Sequence, residues 1–453
     1  MNDKRINLLA KAPVSKAVNK LAMPAIIGLL VNAIYNVVDT MFVAWIGTEA
    51  TGATQVVLPI VLVATALGLG FGIGGGSYLS RLLGEKQIEK AQEVTSTLLF
   101  SGIIAGIIFV VINLLFLEDV LLFFGATSEV MDMAKDYGFF IVISGLFLIV
   151  NMVLNNLLRS EGSGSYSMVG LATGAILNII LDPIFIFVFD MGISGAAIAT
   201  MLSYCVSTGL LLSFYLRKRT VVKMKLSSIK PTINLYKEVL VIGGPTFVKQ
   251  ILFSCSIVLL NQKATEFGGD ELLAAIGIAF RFTMLTTNII FGIGQGLQPV
   301  AGYNFGAQNK ERIIKSLKYT MKLTAYVVFI SFLITFIFTP QIMDVFKAAP
   351  EVKKYGIIGL RYMATGIIFF GFANTITIFF LAIGRGLESL ILSIARQGLI
   401  FIPLLYILTY TFGYKGVLVS QAVADILTLL LSVFLFARFM KLNKLDKEMN
   451  LEN

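Results

Sequence analysis

Two carboxylates stand where carboxylates are costly. Asp39 lies in IYNVVDTMFVAWIG and Asp182 in GAILNIILDPIFIFVFDMG, stretches that are otherwise almost wholly apolar. Asn32, Asn36 and Asp39 are spaced i, i+4, i+7, which puts them on one face of a helix. Asn178 and Asp182 are again i, i+4, and Pro183 follows directly. The proline ring lacks an N–H and obstructs the carbonyl of Ile179, so the helix can bend there and free a backbone oxygen beside the acid. The chain turns near Met191, with Asp182 before the turn and Thr200 equally far after it. An antiparallel hairpin brings both to one depth, roughly 13 Å from the outer surface, and Asp39, counted back from Gly47, reaches roughly 12 Å. Two acids, an amide, a hydroxyl and a freed carbonyl are hard oxygen ligands. They suit Na⁺, or a proton held between carboxyls that resist carrying two charges at once. The chain has no histidine, so any proton chemistry falls to carboxylates. Asp39, Asn178, Asp182 and Thr200 are therefore the candidate cation site, for H⁺ before Na⁺. A purely structural hydrogen-bond network is the competing reading, and the cost of an unpaired acid in hydrocarbon weighs against it.

The second half carries different chemistry. Lys249, Arg281, Arg396 and Asp425 lie within its apolar runs. One acid cannot neutralise three bases. Either Asp425 pairs with one base while carbonyls serve the rest, or the bases form a patch for an anionic group. Asn36, Lys249 and Arg281 are accordingly candidate substrate-cavity residues. Cys205 and Cys255 both lie in apolar runs and read as small core residues rather than a disulfide.

These residues must be positioned by membrane-spanning elements. The chain has 453 residues, 57% hydrophobic and only 14% charged, against about a quarter charged in soluble domains. Apolar runs long enough to cross a hydrocarbon core of roughly 30 Å recur throughout. Stretches such as GIIAGIIFVVINLLFL are continuous rather than alternating, which excludes a membrane barrel and requires helices. The basic N-terminus runs into the first apolar stretch without a cleavage signature, so no signal peptide is expected. The net charge of +10 sits in loops, which argues against nucleic-acid binding. Twelve spans place most Lys and Arg on one side, and the positive-inside rule then puts both termini in the cytoplasm of a multi-pass plasma-membrane (inner-membrane) protein. The basic linker RKRTVVKMKLSSIKPTINLYK divides the spans six and six, giving lobes over residues 1–220 and 221–453.

The halves are related. FGIGGG at 71–76 matches FGIGQG at 291–296, Pro24 matches Pro245, Gly47 matches Gly268, GISG at 192–195 matches GYKG at 413–416, and EGSG ending at Gly164 matches IGRG ending at Gly386. All five matches lie at offsets of 220–222 and in the same order. Six spans per half is an even number, so the repeat is parallel, with its axis along the membrane normal. The run GLGFGIGGG looks like a phosphate fingerprint, but no strand precedes it; close helix packing is the better account. The acids do not follow the repeat: Leu260, Asn261 and Gln262 occupy the region matching Asp39, and Pro403 stands opposite Asp182.

With twelve spans in two parallel lobes, an acid in the first span, N-x-x-x-D-P in the fifth and G-x-x-G-A-A-x-A-T in the sixth, the chain resembles the multidrug and toxin extrusion (MATE) family over its whole length. It is similar to the bacterial DinF-like branch. The resemblance implies an all-α, V-shaped antiporter that exports organic compounds against H⁺ or Na⁺. It implies a cation site on Asp39, Asn178, Asp182 and Thr200, and it adds Asn155 as a polar position facing the same cavity. No cofactor beyond the coupling ion is expected. The implied partners are the lipid bilayer and a small organic substrate, with the chain acting as a monomer and not as an enzyme. A flippase for lipid-linked oligosaccharides or lipid II is the alternative, kept open by the bases of the second half. A non-transporting scaffold or receptor is a third reading, and the duplication and buried acids argue against it. Transport of a soluble dye against its gradient would separate the three.

Overall fold

The computed structural model describes residues 4–346 and 348–441. A short helix α1 (Lys4–Ala10) precedes the first long helix α2 (Val14–Ile46). Then follow α3 (Thr48–Gly84), α4 (Ile88–Leu115), the short α5 (Leu117–Phe123), α6 (Met131–Ser160), α7 (Gly164–Pro183) and α8 (Gly192–Leu216). The second half runs through α9 (Ile233–Gly306), α10 (Lys310–Ile337), the short α11 (Thr339–Val345), α12 (Pro350–Ala382), α13 (Gly386–Ile394), α14 (Phe401–Phe412) and α15 (Tyr414–Lys441). Among the described residues, eleven stretches are long and apolar enough to span a bilayer. One of them, α9, has 74 residues, about 110 Å of helix and far more than one crossing needs. It breaks at Gly269, where φ is 64° and ψ −160°, so its two arms are two spans and the total is twelve. Large apolar side chains such as Leu115, Val188, Leu216 and Phe434 stand exposed on these helices, as lipid-facing surface requires. Cys205 and Cys255 share that exposed surface and are not core residues as expected. The hydropathy of a lipid-facing position is the same as that of a core position, so an apolar run cannot separate the two.

The duplication extends to the backbone. Gly162 and Gly384 have φ of 89° and 82°, and Gly192 and Gly413 have φ of 53° and 58°. These are left-handed conformations that only glycine adopts without strain. Lys86 and Gln308, matched at offset 222, also have positive φ, and each closes its helix with the same pair of bonds: Lys86 N–H to Leu83 and Gln87 N–H to Leu82, Gln308 N–H to Phe305 and Asn309 N–H to Asn304. The short helices α5 and α11 coincide at the same offset.

The chain divides into two compact units. One takes the segment up to Lys11 and Ile27–Gly243; the other takes Ala12–Ile26 and the chain from Gly244 onward. This differs from a clean cut at residue 220, because α2 and α9 each begin in one unit and continue in the other. The glycine runs explain the exchange. A Cβ on Gly74 would lie 2.2 Å from the carbonyl oxygen of Val239 at the start of α9, and one on Gly296 would lie 2.7 Å from that of Val18 at the start of α2. FGIGGG and FGIGQG are thus close-packing surfaces, each seating the opening turns of a helix that completes the other unit. In the first unit the core gathers Val57, Leu121, Ile141, Ile149 and Ala197; in the second it gathers Leu260, Leu272, Leu360, Phe401 and Leu418.

One buried acid organises the ends of several elements. Glu161, between α6 and α7, is fully buried and accepts from Ser163 Oγ at 2.8 Å and from the N–H groups of Val221 and Val222 at 3.0 and 3.1 Å. Arg5 of α1 approaches to 3.8 Å. Burial pushes its carboxyl up to about 7, against the opposing pull of the Val222 N–H, the Ser163 hydroxyl and Arg5.

Two predictions follow from this packing. Gly74→Ala and Gly296→Ala each force backbone to move and should destabilise by about 1–3 kcal/mol, while Gly209→Ala, with nothing within 4 Å, should not lower the Tm; melting of purified protein checks this. Glu161 holds its proton more tightly folded than unfolded, so its contribution to stability is fully present below the ordinary carboxylate range and is lost as pH rises toward about 7. The Tm of the wild type should therefore carry a falling component between about pH 5 and 7 that is missing in Glu161→Gln.

Candidate functional site

Three helices bring the predicted cation residues together in the first unit. Asp39 stands on α2, Asn178 and Asp182 on α7 and Thr200 on α8. Asn178 Nδ2 donates to Thr200 Oγ1 at 3.1 Å, which closes the hairpin between α7 and α8 at the level its spacing implied. The Asp39 and Asp182 carboxyls face each other, and the Asn178 side chain adjoins Asp182. Asp182 is wholly buried and Asn178 very nearly so. Asp39 Oδ1, Asn178 Oδ1 and both carboxyl oxygens of Asp182 are buried without a protein donor. Four acceptor oxygens therefore converge with nothing positive to meet them, in an interior where each lost partner costs about 1–3 kcal/mol and charged groups cost more.

The backbone beside the acids is irregular. After Pro183 the helix widens into a π turn over Ile184–Val188, where Phe189 N–H bonds to Ile184 and Met191 N–H to Phe185. Such turns frequently mark functional positions. Gly195 makes the site compact, since a Cβ there would lie 2.7 Å from the carbonyl of Phe185.

Three tyrosines complete the surroundings and were missed by sequence reasoning. Tyr35 on α2 and Tyr137 on α6 stand close enough to both acids to feel their charge, Tyr204 on α8 stands close to Asp39, and Tyr35 and Tyr204 lie against each other. Two of them carried a signal: Tyr35 precedes Asp39 by four residues and Tyr204 follows Thr200 by four, the spacing of one helix face. Tyr137 carried none, because α6 contributes no other member of the site.

The other expected residues fall elsewhere. Asn36 is exposed and donates to Asn32, both to its carbonyl at 2.7 Å and to its side chain at 3.2 Å. Asn155 is buried. Its amide donates to the Ser167 carbonyl at 3.1 Å, and its oxygen accepts from Ser167 Oγ at 2.7 Å and from Arg159 at 3.4 Å. In the second unit Arg396 donates through Nε to Asp425 Oδ1 at 2.7 Å, which settles which base the acid pairs with. Arg396 itself sits in another π turn, Ala395–Leu399. Lys249 lies close to Arg396, with its amine 4.7 Å from the Phe291 ring centroid. Arg281 is exposed and forms no ion pair among the described residues. Among the described residues there is no cluster of three or more acids, cysteines or histidines.

Comparison with known proteins agrees with this architecture. The MatE family profile matches residues 24–184 and again 245–407, which repeats the offset seen in the glycines and prolines. The chain is 30% identical to the multidrug export protein MepA of Staphylococcus saprophyticus, over 94% of each chain, and 29% identical to MepA of Staphylococcus aureus strain MSSA476, over 96% of each. Among solved structures, an outward-facing multidrug resistance MATE transporter of the MOP superfamily superposes with a TM-score of 0.93 at 28% identity, covering 99% of this chain and all of that one. A MATE transporter in complex with MaL6 superposes equally well, with a TM-score of 0.93 at 28% identity over 98% of this chain and all of that one. On a duplicated profile that covers most of its length, this chain belongs to the MatE family of multidrug and toxin extrusion transporters.

Proposed function

We propose that this protein exports small organic compounds by alternating access, driven by protons that load on Asp39 and Asp182. The observation that carries the reading is the facing carboxyl pair, three of whose oxygens are buried without a donor, as is the adjoining Asn178 Oδ1. A proton satisfies such a pair directly: it becomes the donor between the two acids and lowers their joint charge from −2 to −1. Sodium would use the same oxygens together with Thr200, but it would leave both carboxyls ionised side by side. In the cycle, the pair takes up a proton from outside, and the loss of repulsion between α2 and α7 changes the preferred bend beside Pro183. The pair then releases the proton inside while an organic compound moves outward. Asn178 and Thr200 hold α7 to α8 and position Asp182. The tyrosines Tyr35, Tyr137 and Tyr204 shield the pair from lipid while offering hydroxyls to a proton or a substrate. A plasma-membrane location with both termini in the cytoplasm follows from the charge asymmetry of the loops. A single chain suffices in this reading, with no cofactor besides the coupling ion and no chemical step.

Two measurements test it. Asp39→Asn and Asp182→Asn each keep size and hydrogen bonding but remove a titratable group, so each should lower gradient-driven dye efflux to that of protein-free liposomes while inserting and melting normally. Normal efflux in either variant would exclude the pair as the coupling site. In proteoliposomes of the wild type, a pH gradient without sodium should drive efflux and a sodium gradient at constant pH should not. The reverse result would make sodium the coupling ion and leave the same residues as its ligands.

A further inference from the structure

The second unit holds a group of charges that ion coupling does not use. Lys249 lies on the first arm of α9 and Phe291 on the second, Phe370 lies on α12, Arg396 in the π turn and Asp425 on α15. The Lys249 amine stands 4.7 Å from the centroid of Phe291, and the Arg396 guanidinium stands 4.2 Å from that of Phe370. The two rings meet edge to face, with centroids 5.8 Å apart and planes at 88°. Two cations are thus mounted on two touching aromatic rings, near enough to repel one another. One acid answers them. Asp425 Oδ1 accepts from Arg396 Nε at 2.7 Å and from Gln421 Nε2 at 3.3 Å. Among the described residues, no carboxylate lies within ion-pair reach of Lys249, and neither terminal nitrogen of Arg396 meets an acceptor. The group carries a net charge of +1. It is not sealed, because 19% of the Arg396 side chain remains accessible.

Ring contacts alone do not account for this arrangement. A cation over a ring gains less than the cost of keeping an ammonium from water in a hydrocarbon setting. A guanidinium whose Nε is committed to Asp425 still presents two terminal nitrogens in a fixed fork that matches a planar oxyanion. The flank of the group is apolar: Ile290, Val328, Ile367 and Phe370 form one buried cluster, with Phe291 packed against it. A small inorganic anion would leave that wall unused.

We propose that Lys249 and Arg396 form an anion subsite in the second unit that takes the carboxylate or sulfonate of an amphipathic aromatic monoanion, with Phe291 and Phe370 fixing the two cations. The subsite names a substrate class for the export reading and rests on it for the fate of the bound anion, but not for binding. Binding is therefore measured without any gradient, so failure of proton coupling leaves this test intact and failure here leaves coupling intact. Transporter in nanodiscs of zwitterionic lipid is dialysed to equilibrium against 1-naphthalenesulfonate, and separately against a naphthylmethyl-trimethylammonium cation of similar size. Lys249→Gln should weaken sulfonate binding about tenfold, the size of one charge-assisted hydrogen bond, with cation binding unchanged. Lys249→Met, which suits the apolar surroundings and guards against a folding defect, should do the same. Lys249→Arg should retain sulfonate binding, and Lys249→Glu should shift preference to the cation. No saturable sulfonate binding by the wild type, or an affinity unchanged in both neutral variants, would overturn the subsite. Loss of sulfonate binding when phosphatidylglycerol is added to the nanodisc would assign the two cations to a lipid headgroup and overturn the substrate reading.

Discussion

A bilayer interior offers no water to complete a hydrogen bond, and this one constraint governs the rest of the molecule. Backbone groups answer it by forming helices, which satisfy every N–H and C=O within a segment. Side chains have fewer ways out. Asn36, Thr65 and Thr377, for example, donate back to carbonyls of their own helices. Asp39 and Asp182 have no such escape, since a carboxylate donates nothing, and their unmet oxygens are where the first unit departs from internal satisfaction.

The two halves show how one backbone plan supports two chemistries. Positive φ at Gly162 and Gly384, and at Gly192 and Gly413, keeps the turns equivalent, and the paired helix ends at Lys86 and Gln308 do the same. The contents of the spans are not equivalent. The first unit sets two facing acids among three tyrosines; the second sets two bases and one acid among two phenylalanines. Even the π turns do not correspond, for Ile184–Val188 follows Asp182, whereas Ala395–Leu399 lies earlier in its half and carries Arg396 itself. Duplication therefore fixes turns and close contacts, where a changed residue would break the fold, and leaves the interior side chains free to diverge.

The close contacts also explain why the unit boundary escapes a reading by composition. The basic linker is the natural place to divide the chain, because charge and polarity peak there. The packing boundary lies instead inside two helices, at Ile26 and Gly243, where apolar composition is uniform. Gly74 and Gly296 draw the opening turns of α9 and α2 against them, and nothing in hydropathy distinguishes a residue on one side of such a crossing from a residue on the other.

Much of the site was legible in order and spacing. Charge in an apolar run marked Asp39 and Asp182, i+4 spacing added Asn178, and equal distance from a turn added Thr200; the structure joins the last two at 3.1 Å. The twelve spans, the duplication and the packing role of the glycine run were readable for the same reason, since local periodicity and special backbone residues determine them. What the sequence could not determine was which side chains meet across elements. Tyr137 joins the acids from α6 with no motif to announce it. Asn155 bonds Ser167 twice. Cys205 and Cys255 face outward although their runs are as apolar as any core. Of three bases in the second half, only tertiary packing decided that Arg396 takes Asp425 and Lys249 takes a phenyl ring, while Arg281 is exposed. Periodicity fixes the face a residue occupies, but the partner on that face is set by how helices distant in sequence pack together.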